Sequence, residues 1–316
     1  MGPAEHGTGP GTDAPVHSQG EAGRARTRDG RELYYQRLPG PAGAETVPTV
    51  VFEGGLAAGR SYWAGVQAAL ADVAPTVVYD RSGLGRSPAA PPGVSRRLHA
   101  LADDLGDLLD HLDGPDGDRD RDRQGSYILV GHSWGGPLVR LTAAARPARV
   151  AGLVLVDPSD EACELLFQPA MRRAERVGQL ATVWLARLGL LGRAYRPLTA
   201  ALPPDAAADM RAEGFTVAMT RTRGRELEDA AGDLRALLEN PPGLAGLPVT
   251  VVSAGRVSPG MPKAVRERAT VSHAYRARQS PHGRHVVLPE ADHMVLTTSA
   301  AELAEEIRRL VVPTGG

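Results

Sequence analysis

Apolar positions along the chain fall into two alternating patterns. One is a short, largely apolar run: Thr49-Val50-Val51-Phe52, Thr76-Val77-Val78-Tyr79, Tyr127-Ile128-Leu129-Val130, Val150 to Val156 and Leu247 to Val252, with Arg284 to Leu288 as a last, more polar strand. Such runs predict strands buried on both faces. The other is an apolar residue every third or fourth position, which predicts an amphipathic helix. This pattern covers Ser61 to Ala71, then Leu98 to Leu112 with Ser95 as candidate cap, and Pro137 to Arg146. A last helix is expected after Ser299-Ala300-Ala301-Glu302, which has the form of a capping box. Ahead of all these, Arg24 to Leu38 reads as a hairpin turning at Asp29-Gly30, a type I′ signal.

Strands alternating with helices, with no second hairpin, predict a mainly parallel sheet covered on both faces. The segment 159–245 interrupts the alternation with helical periodicity alone. Val177, Leu180, Val183, Trp184 and Leu188 fit one stripe, and Leu227, Leu234, Leu237 and Leu238 another, with breaks at Pro203-Pro204 and Gly214. A segment of that length is too long for one crossover and is expected to sit outside the layers as a helical cap. The expected organisation is a disordered tail over 1–23, a core over 24–158 and 246–316, and the cap over 159–245.

Composition narrows the picture. The chain has 316 residues, 42% of them hydrophobic, which suits one large α/β domain with an insertion. A net charge of −1 argues against a nucleic acid or an anionic membrane as general partner. Lys263 is the only lysine, so an excess of arginine at any one place is weak as a signal. One cysteine, Cys163, excludes an internal disulfide and a cysteine metal cluster. The first 23 residues lack the apolar stretch of a signal peptide, and no apolar run is long enough to span a bilayer, so a cytoplasmic location is expected. The Asp/Arg alternation from Asp113 to Gln124 reads as a solvated loop.

Candidate chemistry begins at Gly131-His132-Ser133-Trp134-Gly135, a G-x-S-x-G pattern between a strand and a helix. Such a nucleophile elbow lifts a serine above the sheet edge at a helix N-terminus. A serine needs a base within hydrogen-bond reach, and the base needs an acid to orient it. In a parallel sheet, loops after the strand carboxyl ends gather along one edge. Ser133, Asp157 and His293 all follow such ends, in the chain order of one of the convergent serine triads. Among the other histidines, His132 is expected to pack beside the elbow, and His273, His282 and His285 to be solvated.

Taken together, Glu53-Gly54-Gly55-Leu56, Asp80-Arg81-Ser82-Gly83-Leu84-Gly85-Arg86-Ser87, the elbow, Leu155-Val156-Asp157-Pro158-Ser159 and Asp292-His293 resemble the α/β-hydrolase fold superfamily, in its serine-nucleophile branch with a helical cap. The resemblance implies an α/β fold with a mainly parallel eight-stranded sheet. It implies a serine hydrolase acting on an ester, thioester, lactone or amide of a small molecule, with no cofactor and no metal. Acyl transfer or ring closure on the same fold is the alternative, and a non-catalytic small-molecule binder a third. The family usually carries its acid after the strand that here is Leu247 to Val252. That loop, Ser253 to Gly260, has no carboxylate, and Glu267 lies too far along. Asp157 is the preferred acid, with Asp160 and Glu161 next. The oxyanion hole is expected from the backbone N–H groups of Leu56 and Trp134, with Gly54-Gly55 where the family often has His-Gly. The Asp80–Ser87 loop resembles a brace for the elbow, with substrate contact by Arg81 or Arg86 as the other reading.

Overall fold

The five apolar runs and the stretch from Arg284 to Leu288 become six parallel strands of one sheet. The computed structural model describes residues 16–114, 126–244 and 246–312. Its strands are β1 Glu21–Arg26, β2 Glu32–Leu38, β3 Thr49–Glu53, β4 Thr76–Tyr79, β5 Tyr127–His132, β6 Val150–Val156, β7 Val249–Ala254 and β8 Gly283–Leu288. They form one eight-stranded sheet in the order β1-β2-β4-β3-β5-β6-β7-β8. Only the β1–β2 and β2–β4 pairs are antiparallel. The parallel register sets Glu53 beside Gly131, His132 beside Val156, and Val156 beside Val252. The carboxyl ends of β3, β5, β6 and β7 therefore meet along one edge.

The helices are α1 Ala64–Leu70, α2 Leu98–Asp113, α3 Gly135–Ala145, α4 Pro169–Arg187, α5 Leu191–Ala194, α6 Arg196–Ala200, α7 Pro204–Glu213, α8 Val217–Leu227, α9 Ala230–Glu239, α10 Lys263–Ala277, α11 Val295–Thr298 and α12 Ala300–Val311. Both faces of the central strands β3 to β7 are covered, which explains why these strands read as apolar runs. Along β5, Ile128 and Val130 pack with Val66 and Leu70 of α1 and Leu303 and Ile307 of α12. Leu129 faces the other way, with Leu101 and Leu105 of α2 and Leu138 of α3. Each such leucine or isoleucine contributes about 1.5–3 kcal/mol by leaving water. Between β6 and β7 the chain runs only through helices, from α4 to α9. No helix among the described residues is long and apolar enough to cross a membrane.

Several local expectations are corrected. Residues 1–15 of the expected tail and 115–124 of the expected loop lie outside the described residues. Residues 16–23 do not continue a tail: Ser18 donates from its N–H and hydroxyl to Asp205 (2.6 and 2.7 Å), Gln19 is buried, and β1 starts at Glu21. An edge strand held by backbone pairing carries no apolar signature. The hairpin loop is also longer than a type I′ turn. Gly30 N–H bonds to the Thr27 carbonyl, Thr27 pairs with Arg31, and only Gly30 has positive φ, so the turn is type I closed by a left-handed glycine. Ser95 does not cap α2; Asp233 of α9 accepts from Leu98 N–H at 3.0 Å instead. Ser299 precedes α12 without making a side-chain cap. The periodic residues Val177, Leu180 and Trp184 of α4, and Leu188 just after it, are exposed.

A buried ionic tie joins this helical segment to the sheet edge. Arg81 follows β4 and meets Glu226 of α8 through two parallel hydrogen bonds of 2.9 Å. It also meets Glu53 at the end of β3 and donates to the carbonyls of Gly54 (2.9 Å) and Gly55 (2.8 Å). Glu226 further accepts from Arg96 (2.9 Å) and from Ala57 N–H (3.1 Å). Arg81 is thus a brace, as one reading of its loop expected. Burial pushes the Glu226 carboxyl up, but Arg81 and Arg96 outweigh it, and its pKa falls below the ordinary value. An acid so held adds stability that is present above the unfolded carboxylate pKa and is lost as pH falls through the folded one. Glu226→Gln leaves Arg81 and Arg96 short of a buried counter-charge. It should cost about 3–5 kcal/mol, read as an earlier midpoint in urea unfolding at neutral pH. A cost below about 1 kcal/mol would show that the tie adds nothing beyond a surface ion pair.

Candidate active site

Ser133 sits between the last residue of β5 and the first of α3, with φ of 51°. The turn closes because its flanking positions lack Cβ atoms. A Cβ on Gly131 would fall 2.4 Å from the Gly135 carbonyl oxygen, and one on Gly135 2.7 Å from that of Glu53. Trp134 opens α3, so its N–H belongs to the first-turn donors that have no acceptor within the helix.

His293 lies in the turn between β8 and α11. Its Nε2 is 3.1 Å from Ser133 Oγ and its Nδ1 2.6 Å from Asp157 Oδ2. A carboxylate only accepts, so Nδ1 carries the proton and donates to Asp157. That leaves the Nε2 lone pair to accept from the Ser133 hydroxyl. The His293 backbone is held as well: its carbonyl accepts from His132 Nε2 at 2.8 Å. His132 is buried, as expected, and burial with the neighbouring His293 lowers its pKa to about 3. It is therefore a neutral strut.

Asp157 follows β6 with φ of 42° and is buried. Its Oδ1 accepts from Ala254 N–H (3.1 Å) and from Arg266 of α10. Burial alone would raise its pKa, but His293, His273 and Arg266 outweigh that and hold the carboxyl well below the ordinary range. The other candidate acids are engaged elsewhere. Asp160 pairs with Arg276, Glu161 with Arg140 and Arg276, and Glu267 lies on the surface beside Lys263.

The β3 loop comes up against the elbow at Gly55, where a Cβ would stand 3.2 Å from that of Ser133. Arg81 binds the Gly55 carbonyl. In a trans peptide the N–H points opposite to the C=O. Leu56 N–H therefore points away from Arg81.

Sequence reasoning missed four residues here. Arg266 and Glu226 lie on helices without any motif. His273, expected in solvent, is buried: Nε2 donates to the Pro158 carbonyl (2.9 Å) and Nδ1 meets Ser253 Oγ (2.7 Å). Ser253 also bonds half-buried His285 (2.9 Å), while His282 is exposed. The only available hint was that a polar helix, α10, follows a loop lacking its carboxylate.

The sequence profile of the alpha/beta hydrolase family matches residues 50–306. The chain belongs to this family. Among α/β hydrolases and their kin, a 130-residue stretch is 39% identical to lipase LipV of Mycobacterium tuberculosis, covering 40% of this chain and 42% of that protein. The match thus spans less than half of its curated relative. Among solved structures, an esterase from Thermogutta terrifontis superposes with a TM-score of 0.61 at 20% identity, over 92% of this chain and 100% of that one. A protein of α/β-hydrolase type from Nostoc reaches 0.71 at 16% identity, over 92% and 98%. At these identities the likeness is one of fold.

In this α/β hydrolase a cavity of about 310 Å³ opens beside Ser133 and His293. Leu56 and Trp134 line it from the sheet side, and α4, α8 and α9 contribute Met171, Leu227 and Leu234. Cys163, buried, also reaches the wall. Among the described residues no group of three His, Cys, Asp or Glu side chains is placed to hold a metal ion.

Proposed function

We propose that the protein is a serine hydrolase that cleaves an ester-type bond of a small molecule through an acyl-enzyme, with Ser133, His293 and Asp157 as its triad. The observation that carries this reading is the hydrogen-bonded chain from Ser133 Oγ through His293 to Asp157, open to a cavity at the carboxyl edge of the sheet. Ser133 Oγ attacks the substrate carbonyl carbon as His293 Nε2 takes its proton. The carbonyl oxygen becomes an oxyanion, which the N–H groups of Leu56 and Trp134 stabilise. Collapse breaks the bond to the leaving group, and His293 returns the proton to it. A water, deprotonated by the same nitrogen, then releases the acid and restores Ser133.

The segment 159–245 acts as a cap over the core formed by 24–158 and 246–316. Its support is that α4, α8 and α9 supply part of the cavity wall. Ester, thioester, lactone and amide substrates all fit this chemistry; the lipase and esterase among the relatives favour esters.

The test is an active-site label. A fluorophosphonate should add once to the native protein, with the adduct on the peptide containing Ser133 by mass spectrometry. A protein that stays unlabelled, or is labelled elsewhere, sinks the reading.

A further inference from the structure

Arg172 and Glu175 of α4 and Arg223 of α8 line the same cavity as Ser133. The other acids on its wall are already matched, Asp157 by Arg266 and Asp160 by Arg276. Arg172 is matched too, its Nη1 2.9 Å from Glu175 and its Nη2 donating to the Leu166 carbonyl at 3.4 Å. Two arginines against one glutamate leave one positive charge on this wall, and it resides on Arg223.

Arg223 has no carboxylate at ion-pair distance among the described residues. Its one hydrogen-bond partner there is Gln179 Oε1. Gln179 is itself oriented, because its Nε2 donates to the Thr220 carbonyl at 2.8 Å. One N–H of the guanidinium is thus tethered, and the rest of its five-donor fork remains for an acceptor. None of its nitrogens is sealed in protein without a partner, and Arg223 lines the cavity. Burial lowers the pKa of Arg223, and the carboxylates of Glu175 and Glu226 do not restore it. Such a group gains most from an anion that is desolvated along with it.

We infer that the substrate carries a second, anionic group, a carboxylate seated on Arg223 while the scissile carbonyl lies at Ser133. This rests on the hydrolase reading above. The substrate class is then a carboxylate-bearing ester, thioester or amide, whose acyl or leaving-group part ends in a free carboxylate. Apolar side chains on the wall of the same cavity, Leu56, Leu227 and Leu234, suit a short hydrocarbon spacer. A carboxylate on a guanidinium fork makes two charge-assisted hydrogen bonds. A neutral ester of the same shape leaves Arg223 unpaired and is rejected for that reason.

The test compares monoethyl succinate, glutarate and adipate (carboxylate on the acyl side) and O-acetyl-4-hydroxybutyrate (on the alcohol side) with their neutral ethyl esters at fixed ionic strength. The native enzyme should prefer one of the charged sets. Arg223→Gln should lower the charged-to-neutral ratio of kcat/KM by roughly 30- to 100-fold. Arg223→Lys should restore part of it. Arg173→Gln, which removes an exposed arginine of α4, should leave the ratio alone. Glutarate should bind Ser133→Ala in a calorimeter and lose binding when Arg223→Gln is added. No preference in the native enzyme, or a ratio that Arg223→Gln does not change, overturns the inference, while Ser133 labelling keeps the hydrolase reading. Glutarate binding that depends on Arg223 in a protein whose Ser133 never labels does the reverse.

Discussion

Ser133→Ala should lower kcat by roughly 10⁴- to 10⁶-fold on any ester the protein turns over. The substitution removes one oxygen and leaves His293, Asp157 and the N–H groups of Leu56 and Trp134 in place. Residual turnover would come from those donors and from binding alone, which is why the loss has a floor. KM should move little, since the hydroxyl contributes to bond making and not to holding the substrate. Steady-state kinetics with purified protein, beside the fluorophosphonate label, reads both. A variant that keeps more than about a tenth of native kcat would mean another nucleophile or a contaminant does the work. Unfolding should be unaffected, because among the described residues the Ser133 hydroxyl meets only His293.

Asp157→Asn should cost about 10⁴-fold in kcat with the fold intact. An asparagine there has one acceptor oxygen, and Arg266 and Ala254 N–H already point donors at the Oδ1 position. The oxygen will turn to them, and the amide NH₂ will face His293 Nδ1. A donor there makes Nδ1 the acceptor and moves the imidazole proton to Nε2. Nε2 then has no lone pair for the Ser133 hydroxyl. The native carboxyl, held well below the ordinary range, stays ionised throughout the neutral pH region. A loss smaller than about 100-fold would show that Asp157 orients nothing and that His293 chooses its tautomer unaided.

Much of the site was legible because backbone rules write it into the sequence. The elbow needs glycine at 131 and 135 for steric reasons, so its pattern is visible in five residues. The strands of a sheet buried on both faces must be apolar without interruption, and their parallel arrangement puts positions 133, 157 and 293 together however far apart they lie in the chain. The lack of a carboxylate in the loop from Ser253 to Gly260 could also be read, and it points to Asp157 as the candidate acid. What could not be read depends on partners chosen in three dimensions. Arg266 is one arginine among many until α10 brings it to Asp157. Asp233 caps α2 from a helix far along the chain, and Ser95, which looks like a cap, is not used. His273 sits in a polar stretch, yet Ser253 and the Pro158 carbonyl satisfy both ring nitrogens and let it be buried. Periodicity found the α4 stripe but not the direction it faces, because the same spacing serves a buried face and an exposed one.

Ala57, Ser133 and Asp157 are the only non-glycine residues with left-handed φ among the described residues; Ser133 and Asp157 line the cavity, and Ala57 follows Leu56, which lines it too. Each such residue costs about 1 kcal/mol or more against glycine at the same angles. Nothing in the packing of the sheet requires a side chain at 133, and glycine would relax the chain there. A duplicated gene released from selection on turnover would therefore drift first at position 133, gaining stability as it lost chemistry. Glycine at 133 in an otherwise preserved descendant would be the mark of a retired enzyme, legible before any erosion of its core.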